Sequence, residues 1–233
     1  MSSAVLAVPA LLTTTAAVAG GMSGALHATR RKMDVTGVLL VAVCTGVGGG
    51  ALRDVILGTA VPIFLIQNLL AMAFVGAVAG FFFARFVEQL SPAIYVVDSL
   101  LIGVWVVIGA EKALQLGLSD SAAVFLGLTT AVGGGIIRDV LCREVPTTLM
   151  PGQWVAGAAA LAAVVFVALD GVVDQRGIAE GIAIGLATAL RMASARYGWV
   201  TPDAVTMSAR LRHWLGFDRR KPPAEPDTPV VPG

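Results

Sequence analysis

Two stretches of this chain carry the same unusual set of side chains. Gly48-Gly49-Gly50-Ala51-Leu52-Arg53-Asp54-Val55 recurs as Gly133-Gly134-Gly135-Ile136-Ile137-Arg138-Asp139-Val140, an offset of 85 residues with six identities in eight positions. Each copy sets a permanent cation and a carboxylate just after three glycines. A glycine costs a helix about 1 kcal/mol against alanine and leaves backbone carbonyls uncovered. Carbonyls, guanidinium and carboxylate are groups that hold ions or small charged solutes. Nothing in the chain suits bond-making: there is no HExxH, no GxSxG and no nucleophile–base pair. No cofactor or metal is called for. Asp98, Glu111, Lys112 and Glu144 complete the set of ionisable groups lying in or at the ends of apolar segments.

The elements that position these groups follow from composition. Of 233 residues, 57% are hydrophobic and only 13% charged, with a mean hydropathy of +0.84. A soluble domain carries roughly a quarter charged residues. The scarce charges separate apolar blocks about 20 residues long, the length that crosses a bilayer. Seven spans are predicted, at 4–26, 35–57, 62–83, 92–110, 121–142, 151–169 and 178–195. The first has no basic residue ahead of its apolar run and Arg30, Arg31 and Lys32 behind it, so it reads as a retained helix and not a cleaved signal. A short interfacial helix is predicted within 203–217, followed by a disordered Pro-rich tail. Cys44 and Cys142 each fall inside an apolar block, which argues against a disulfide.

Seven spans put the termini on opposite sides. With the N-terminus outside, the cytoplasmic segments hold Arg30, Arg31, Lys32, Arg85, Arg143, Arg191, Arg196 and the tail's Arg210, Arg212, Arg219, Arg220 and Lys221, twelve of the sixteen basic residues. The duplicated unit contains three spans, an odd number, so its second copy enters the membrane from the opposite face. The expected architecture is an all-α, polytopic membrane protein of seven helices, a 3+3 inverted repeat plus one, N-terminus outside and C-terminus cytoplasmic. In chain terms, 1–90 is the first repeat, 91–175 the second, 176–202 the seventh helix and 203–233 a basic tail.

Within that frame the triplets read as helix breaks lining a pathway, because three contiguous glycines face almost every direction. Close packing is the alternative, as in the GxxxG patterns Gly20/Gly24, Gly76/Gly80 and Gly177/Gly181/Gly185. Adjacent Arg and Asp point about 100° apart on a helix, so each is expected to find its counter-charge elsewhere or to contact the backbone freed at the glycines. The arginines serve a pathway, a scaffold between the repeats, or both. Asp98, matched by Thr13 in the first repeat, would coordinate a cation or bond to Ser99 or a neighbouring helix. His27, matched by Lys112, reads as a headgroup-level histidine; Trp154, Trp199 and Trp214 read as interfacial anchors and Trp105 as packing. Gly46-x-Gly48-x-x-Ala51 matches a dinucleotide fingerprint only as a string, since no βαβ unit surrounds it.

The tandem Gly-Gly-Gly-x-x-Arg-Asp motif, with Arg30-Arg31-Lys32-Met33-Asp34 and Glu144-Val145-Pro146, resembles the prokaryotic trimeric intracellular cation (TRIC) channel family, whose repeat is also described as a glycine transporter domain. The resemblance covers roughly residues 5–202, including Arg191, Arg196, Gly198 and Trp199. It implies an inner-membrane homotrimer with a pore in each protomer, helices 2 and 5 bent at the triplets, and Arg53, Asp54, Arg138 and Asp139 on the motif's charged positions. Two departures stand out: Thr13, where relatives often carry an acid, and Pro151-Gly152-Gln153, where they often carry Arg-Glu. Two functions follow: passive flux of monovalent cations, chiefly K⁺, or transport of a small amino acid such as glycine. Membrane lipids and the transported solute are the expected partners; nothing suggests nucleic acid. A reporter fused after Gly233 should read cytoplasmic, and a tag at the N-terminus should be reached from outside; the reverse pattern would overturn the charge argument.

Overall fold

The computed structural model describes residues 10–59, 68–82, 91–152, 154–173, 175–199 and 207–208. These form seven helices: α1 (Ala10–Arg30), α2 (Val35–Ile56), α3 (Leu69–Phe82), α4 (Ser91–Gln115), α5 (Asp120–Leu141), α6 (Val155–Leu169) and α7 (Arg176–Tyr197), with a 3-10 turn at Thr147–Leu149. By length and composition α2, α5 and α7, each of 22 residues, can cross a membrane, and α3 and α6 are shorter apolar helices. The tail helix expected within 203–217 lies outside the described residues except for Met207 and Ser208. So do Pro62, Arg85 and Trp214. α4 runs past its expected end, which places Glu111 and Lys112 inside the helix. Cys44 and Cys142 are free thiols.

The inverted duplication is written in the backbone as well as in the motif. Asp34 caps α2 by accepting from Gly37 N at 2.8 Å, and Ser119, 85 residues on, caps α5 by accepting from Ala122 N at 3.4 Å. The hairpin before each cap turns on a left-handed residue, Lys32 (φ 57°) in one repeat and Gly117 (φ 71°) in the other. Beyond each helix the pattern repeats at Gly58 (φ 62°) and Arg143 (φ 59°). There, Thr59 N donates to Asp54 O (3.0 Å) and Glu144 N to Asp139 O (2.8 Å). These turns are equivalent although the residues at them are not, so the duplication extends well past the identities that reveal it.

α2 and α5 cross at the triplets, and the expectation of broken helices is overturned: both run as α-helix straight through Gly48–Gly50 and Gly133–Gly135. The glycines act by closeness. A Cβ on Gly49 would fall on the carbonyl oxygen of Thr130, and one on Gly134 would sit 2.5 Å from that of Thr45. The next pair is reciprocal too: a Cβ on Gly48 would meet Ile137 Cδ1 at 2.7 Å, and one on Gly133 would meet Leu52 Cδ1 at 2.8 Å. Every contact maps onto its partner by the 85-residue offset, as a two-fold axis at the crossing requires. The first two glycines of each triplet serve packing here, each against a different atom of the antiparallel partner, while the third, Gly50 or Gly135, makes no close contact with it.

Other glycines behave as GxxxG packing predicts: Gly20 and Gly24 admit α2, and Gly76 and Gly80 admit α1. Gly177, Gly181 and Gly185 do not, since among the described residues nothing lies within 4 Å of a Cβ at any of them. The buried core is correspondingly small-sided, with Ala16, Ala110, Ala123 and Ala183 packed around Phe166 and Leu126.

Gly49→Ala and Gly134→Ala should each lower the thermal midpoint in detergent, at a cost of about 1–3 kcal/mol for overpacking. Gly135→Ala, with nothing within 4 Å, should be neutral or stabilising by up to about 1 kcal/mol. Equal sensitivity at all three positions would show that the crossing is not limited by the backbone.

Candidate functional site

A cavity of about 140 Å³ lies on the axis of the crossing. Its wall includes five pairs related by the repeat: Ala16 and Leu101, Gly20 and Trp105, Thr45 and Thr130, Gly46 and Ala131, Gly49 and Gly134. Trp105, expected only to pack, therefore faces it. The hydroxyls of Thr45 and Thr130 are tied back to Val41 O (2.7 Å) and Leu126 O (2.6 Å), one turn earlier in their helices.

Among the described residues, the cavity extends from the axis toward one end of the bundle. There it meets Ser23, Asp98, Gly135, Arg138, Thr147, Thr148 and Arg191. This is the Glu144 end, where the C-termini of α1, α5 and α7 gather; the opposite, Lys112 end holds the C-termini of α2 and α4. The counterparts of Asp98 and Arg138 there, Thr13 and Arg53, are 3% and 0% exposed and take no part in the wall.

The charged groups are paired, and in a way the helical wheel does not anticipate. Arg53 Nε donates to Asp54 Oδ1 at 2.9 Å, and Arg138 Nε to Asp139 Oδ1 at 2.8 Å. The two residues diverge at Cβ, but an arginine side chain is long enough to fold back along the helix surface and reach its neighbour. The expectation that each would find its partner elsewhere is corrected to a shared carboxylate. Asp54 also accepts from Lys112 Nζ at 2.6 Å. Asp139 also accepts from Thr147 N (2.9 Å) and Thr147 Oγ1 (3.1 Å), which pins the turn after α5. Arg138 Nη1 reaches Ser23 Oγ on α1 at 3.3 Å.

Asp98 has a partner that the sequence did not suggest. Arg191 Nη1 donates to its Oδ2 at 2.7 Å. Arg191, which the charge count placed with the cytoplasmic segments although the predicted span 178–195 contains it, lies within α7 and is buried against α4. Its guanidinium lies 5.0 Å from the centre of the Tyr95 ring, and the Tyr95 hydroxyl donates to the Arg191 carbonyl at 3.1 Å. The acid without a counterpart in the first repeat is thus neutralised by the helix without a counterpart in either. The spacing of Tyr95 and Asp98, three apart on one face of α4, was the available signal. Glu111 is buried and takes Gln115 Nε2 at 3.0 Å, with Arg176 Nη1 at 3.4 Å. Glu144 is bound by Arg31 and by His27 Nε2 at 2.9 Å, so His27 is a partner of Glu144 and not simply a headgroup contact.

With this geometry in place the relatives can be compared. A family profile described as "Glycine transporter" matches twice, at residues 10–85 and 95–170. The solved TRIC trimeric intracellular cation channel orthologue from Rhodobacter sphaeroides superposes with a TM-score of 0.74 at 34% identity, over 81% of this chain and 97% of that one. The chain belongs to the TRIC family. A second solved TRIC cation channel matches with a TM-score of 0.77 at 29% identity, over 84% of this chain and 97% of that chain. The inner membrane protein YadS of Escherichia coli (strain K12) is 39% identical over 131 residues; that segment is 55% of this chain and 63% of YadS. The seven-helix TRIC fold and the multi-pass membrane location are therefore established for this protein.

The repeats should respond unequally to loss of their arginine. Arg53→Gln leaves a fully buried Asp54 with Lys112 and should cost about 3–5 kcal/mol. In Arg138→Gln, Asp139 keeps both bonds from Thr147, and the arginine side chain is 19% exposed, so the cost should be about 1 kcal/mol. Thermal unfolding of the two purified variants checks the order.

Proposed function

We propose that this TRIC protein conducts monovalent cations, chiefly K⁺, through the cavity between α2 and α5 of each protomer. The observation that carries the reading is a hydroxyl- and glycine-lined cavity on the axis of the repeat, with a half-exposed carboxylate, Asp98, on its wall. Oxygen ligands of this kind replace part of a cation's hydration shell. The arginines do not contradict it. Arg53, Arg138 and Arg191 each hold a carboxylate at 2.9 Å or less, so none presents an unopposed charge to the path. The solved relatives are described as trimeric cation channels, which supports the same role and a homotrimer for this chain. The uncovered face at Gly177, Gly181 and Gly185 is a surface on which a second copy could approach closely. Arg30, Arg31, Lys32, Arg143 and Arg196 gather at the Glu144 end, which we assign to the cytoplasmic side.

A second reading, carriage of a small zwitterion such as glycine, draws on the family profile and on Arg138 beside Asp98, a cation for a carboxylate and an anion for an amine. Purified protein in liposomes, assayed for K⁺ flux and for labelled glycine uptake, separates the two. Arg138→Gln should raise K⁺ flux several-fold in a cation pore, since a positive charge leaves the wall. For the carrier it should depress glycine uptake instead. Wild-type K⁺ flux and wild-type glycine uptake in that variant would remove Arg138 from the path.

A further inference from the structure

The two ends of the bundle are built on equivalent positions occupied by different chemistry. At one end Lys112 Nζ lies 2.6 Å from Asp54 Oδ1, and Thr59 donates its hydroxyl to Asp54 O at 3.0 Å. The 85-residue offset maps Lys112 to His27, Asp54 to Asp139 and Thr59 to Glu144. These three also converge: their side-chain ligand atoms lie within 4.8 Å of one another. A lysine is replaced by a histidine, and a threonine by a second carboxylate.

A divalent metal is the obvious occupant of a His-Asp-Glu set, and charge and valence argue against it. Asp139 already has Oδ1 engaged by Arg138 and Oδ2 by Thr147 N and Oγ1. Arg31 engages Glu144. With His27 neutral, the two carboxylates are balanced by the two guanidiniums that pair with them, Arg31 and Arg138, and a dication would enter without compensation. A single proton fits. Arg53, Asp54 and Lys112 together carry one net positive charge, and protonation of His27 gives its cluster the same. The charged groups around His27 are Arg30 at the end of α1 and Arg31 just past it, Arg138 and Asp139 on α5, and Glu144 beyond it. On α2, Asp34 at the N-cap is engaged with Gly37 N, and α3 carries no titratable residue.

We propose that His27 is a proton-operated latch on the cavity. Neutral imidazole has one N–H and can donate to one carboxylate, whereas imidazolium donates from both nitrogens. Protonated His27 keeps its bond to Glu144 and sets its positive charge against Asp139 as Lys112 does against Asp54, tying the last turn of α1 to the end of α5. The Lys112 end shows the latched arrangement. There the arginine, Arg53, is fully buried and off the cavity wall. With the latch open at the Glu144 end, its counterpart Arg138 is 19% exposed and on the wall. Acidification therefore withdraws Arg138 and closes the cavity at this end. The consequence for flux rests on reading the cavity as the ion path; the latch itself does not.

The test uses the full chain with Cys44→Ser, Cys142→Ser and Thr148→Cys, which places a single thiol on the cavity wall. Labelling by a charged methanethiosulfonate reagent and K⁺ flux are measured on the same liposomes between about pH 8 and about pH 5.5, a range that spans histidine titration. Rates are normalised to His27→Gln, which cancels ionisation of the thiol. With His27 present, labelling should fall about fivefold or more on acidification relative to His27→Gln, and His27→Lys should label slowly throughout. A His27 protein indistinguishable from His27→Gln at both ends of the range, or a His27→Lys protein as reactive as His27→Gln, overturns the latch. Labelling that follows the latch while K⁺ flux follows neither variant overturns the ion-path reading and leaves the latch standing. Normal K⁺ flux with flat labelling does the reverse.

Discussion

The fold rests on the approach of two backbones. At the crossing of α2 and α5 there is no room for a methyl group on Gly49 against Thr130, or on Gly134 against Thr45. In a bilayer the helices gain nothing from hiding apolar side chains from lipid, so close van der Waals contact must hold them. The same approach fixes what lies beside it. α1 and α4 pack closely on the outer sides of this pair, and Thr45, Thr130, Gly49 and Gly134 line the space beside the crossing. The cavity is a by-product of the contact that stabilises the bundle.

Charge is handled locally. Bringing an arginine into this environment costs several kcal/mol unless a carboxylate accompanies it, and the chain supplies that carboxylate at the next residue. An Arg-Asp dipeptide is a neutral unit before the protein folds, so neither repeat depends on the other for its counter-ion. What remains of each aspartate is then free to tie down another element: Asp54 takes Lys112 of α4, and Asp139 takes the turn at Thr147. The pairs are therefore both scaffold and, at Arg138, wall.

The architecture was legible in the sequence because it depends on long apolar blocks and on an octapeptide whose duplication leaves little room for chance. Its inversion follows from counting three spans. The local form of the triplets was not legible. Glycine's low propensity argued for a break, but propensity is a weak term beside a contact that only glycine permits, and the helices stay intact. The pairing of Arg53 with Asp54 was missed for a related reason: direction at Cβ does not bound the reach of a guanidinium. Arg191 was counted with the cytoplasmic charges, whereas its place beside Asp98 is set by how α7 packs on α4, to which the spacing of Tyr95 and Asp98 is the one pointer in the sequence. Lys112 and Glu144 were marked only by being charged near span ends, and the offset that relates them to His27 and Thr59 gains meaning once the ends are seen to be equivalent in space.

An inverted repeat with identical halves would make a path that is the same from both sides, so any direction in its behaviour must come from positions where the halves differ. Those differences cluster. Asp98 stands where the first repeat has Thr13, Trp105 where it has Gly20, His27 where the second has Lys112, and Glu144 where the first has Thr59. Three of the four bear on the Glu144 end, as does Arg191, which belongs to neither repeat. The cavity opens toward that end and not the other. The symmetric residues line the cavity at the middle of the protein, and the asymmetric ones, all polar or bulky, distinguish the end toward which it extends.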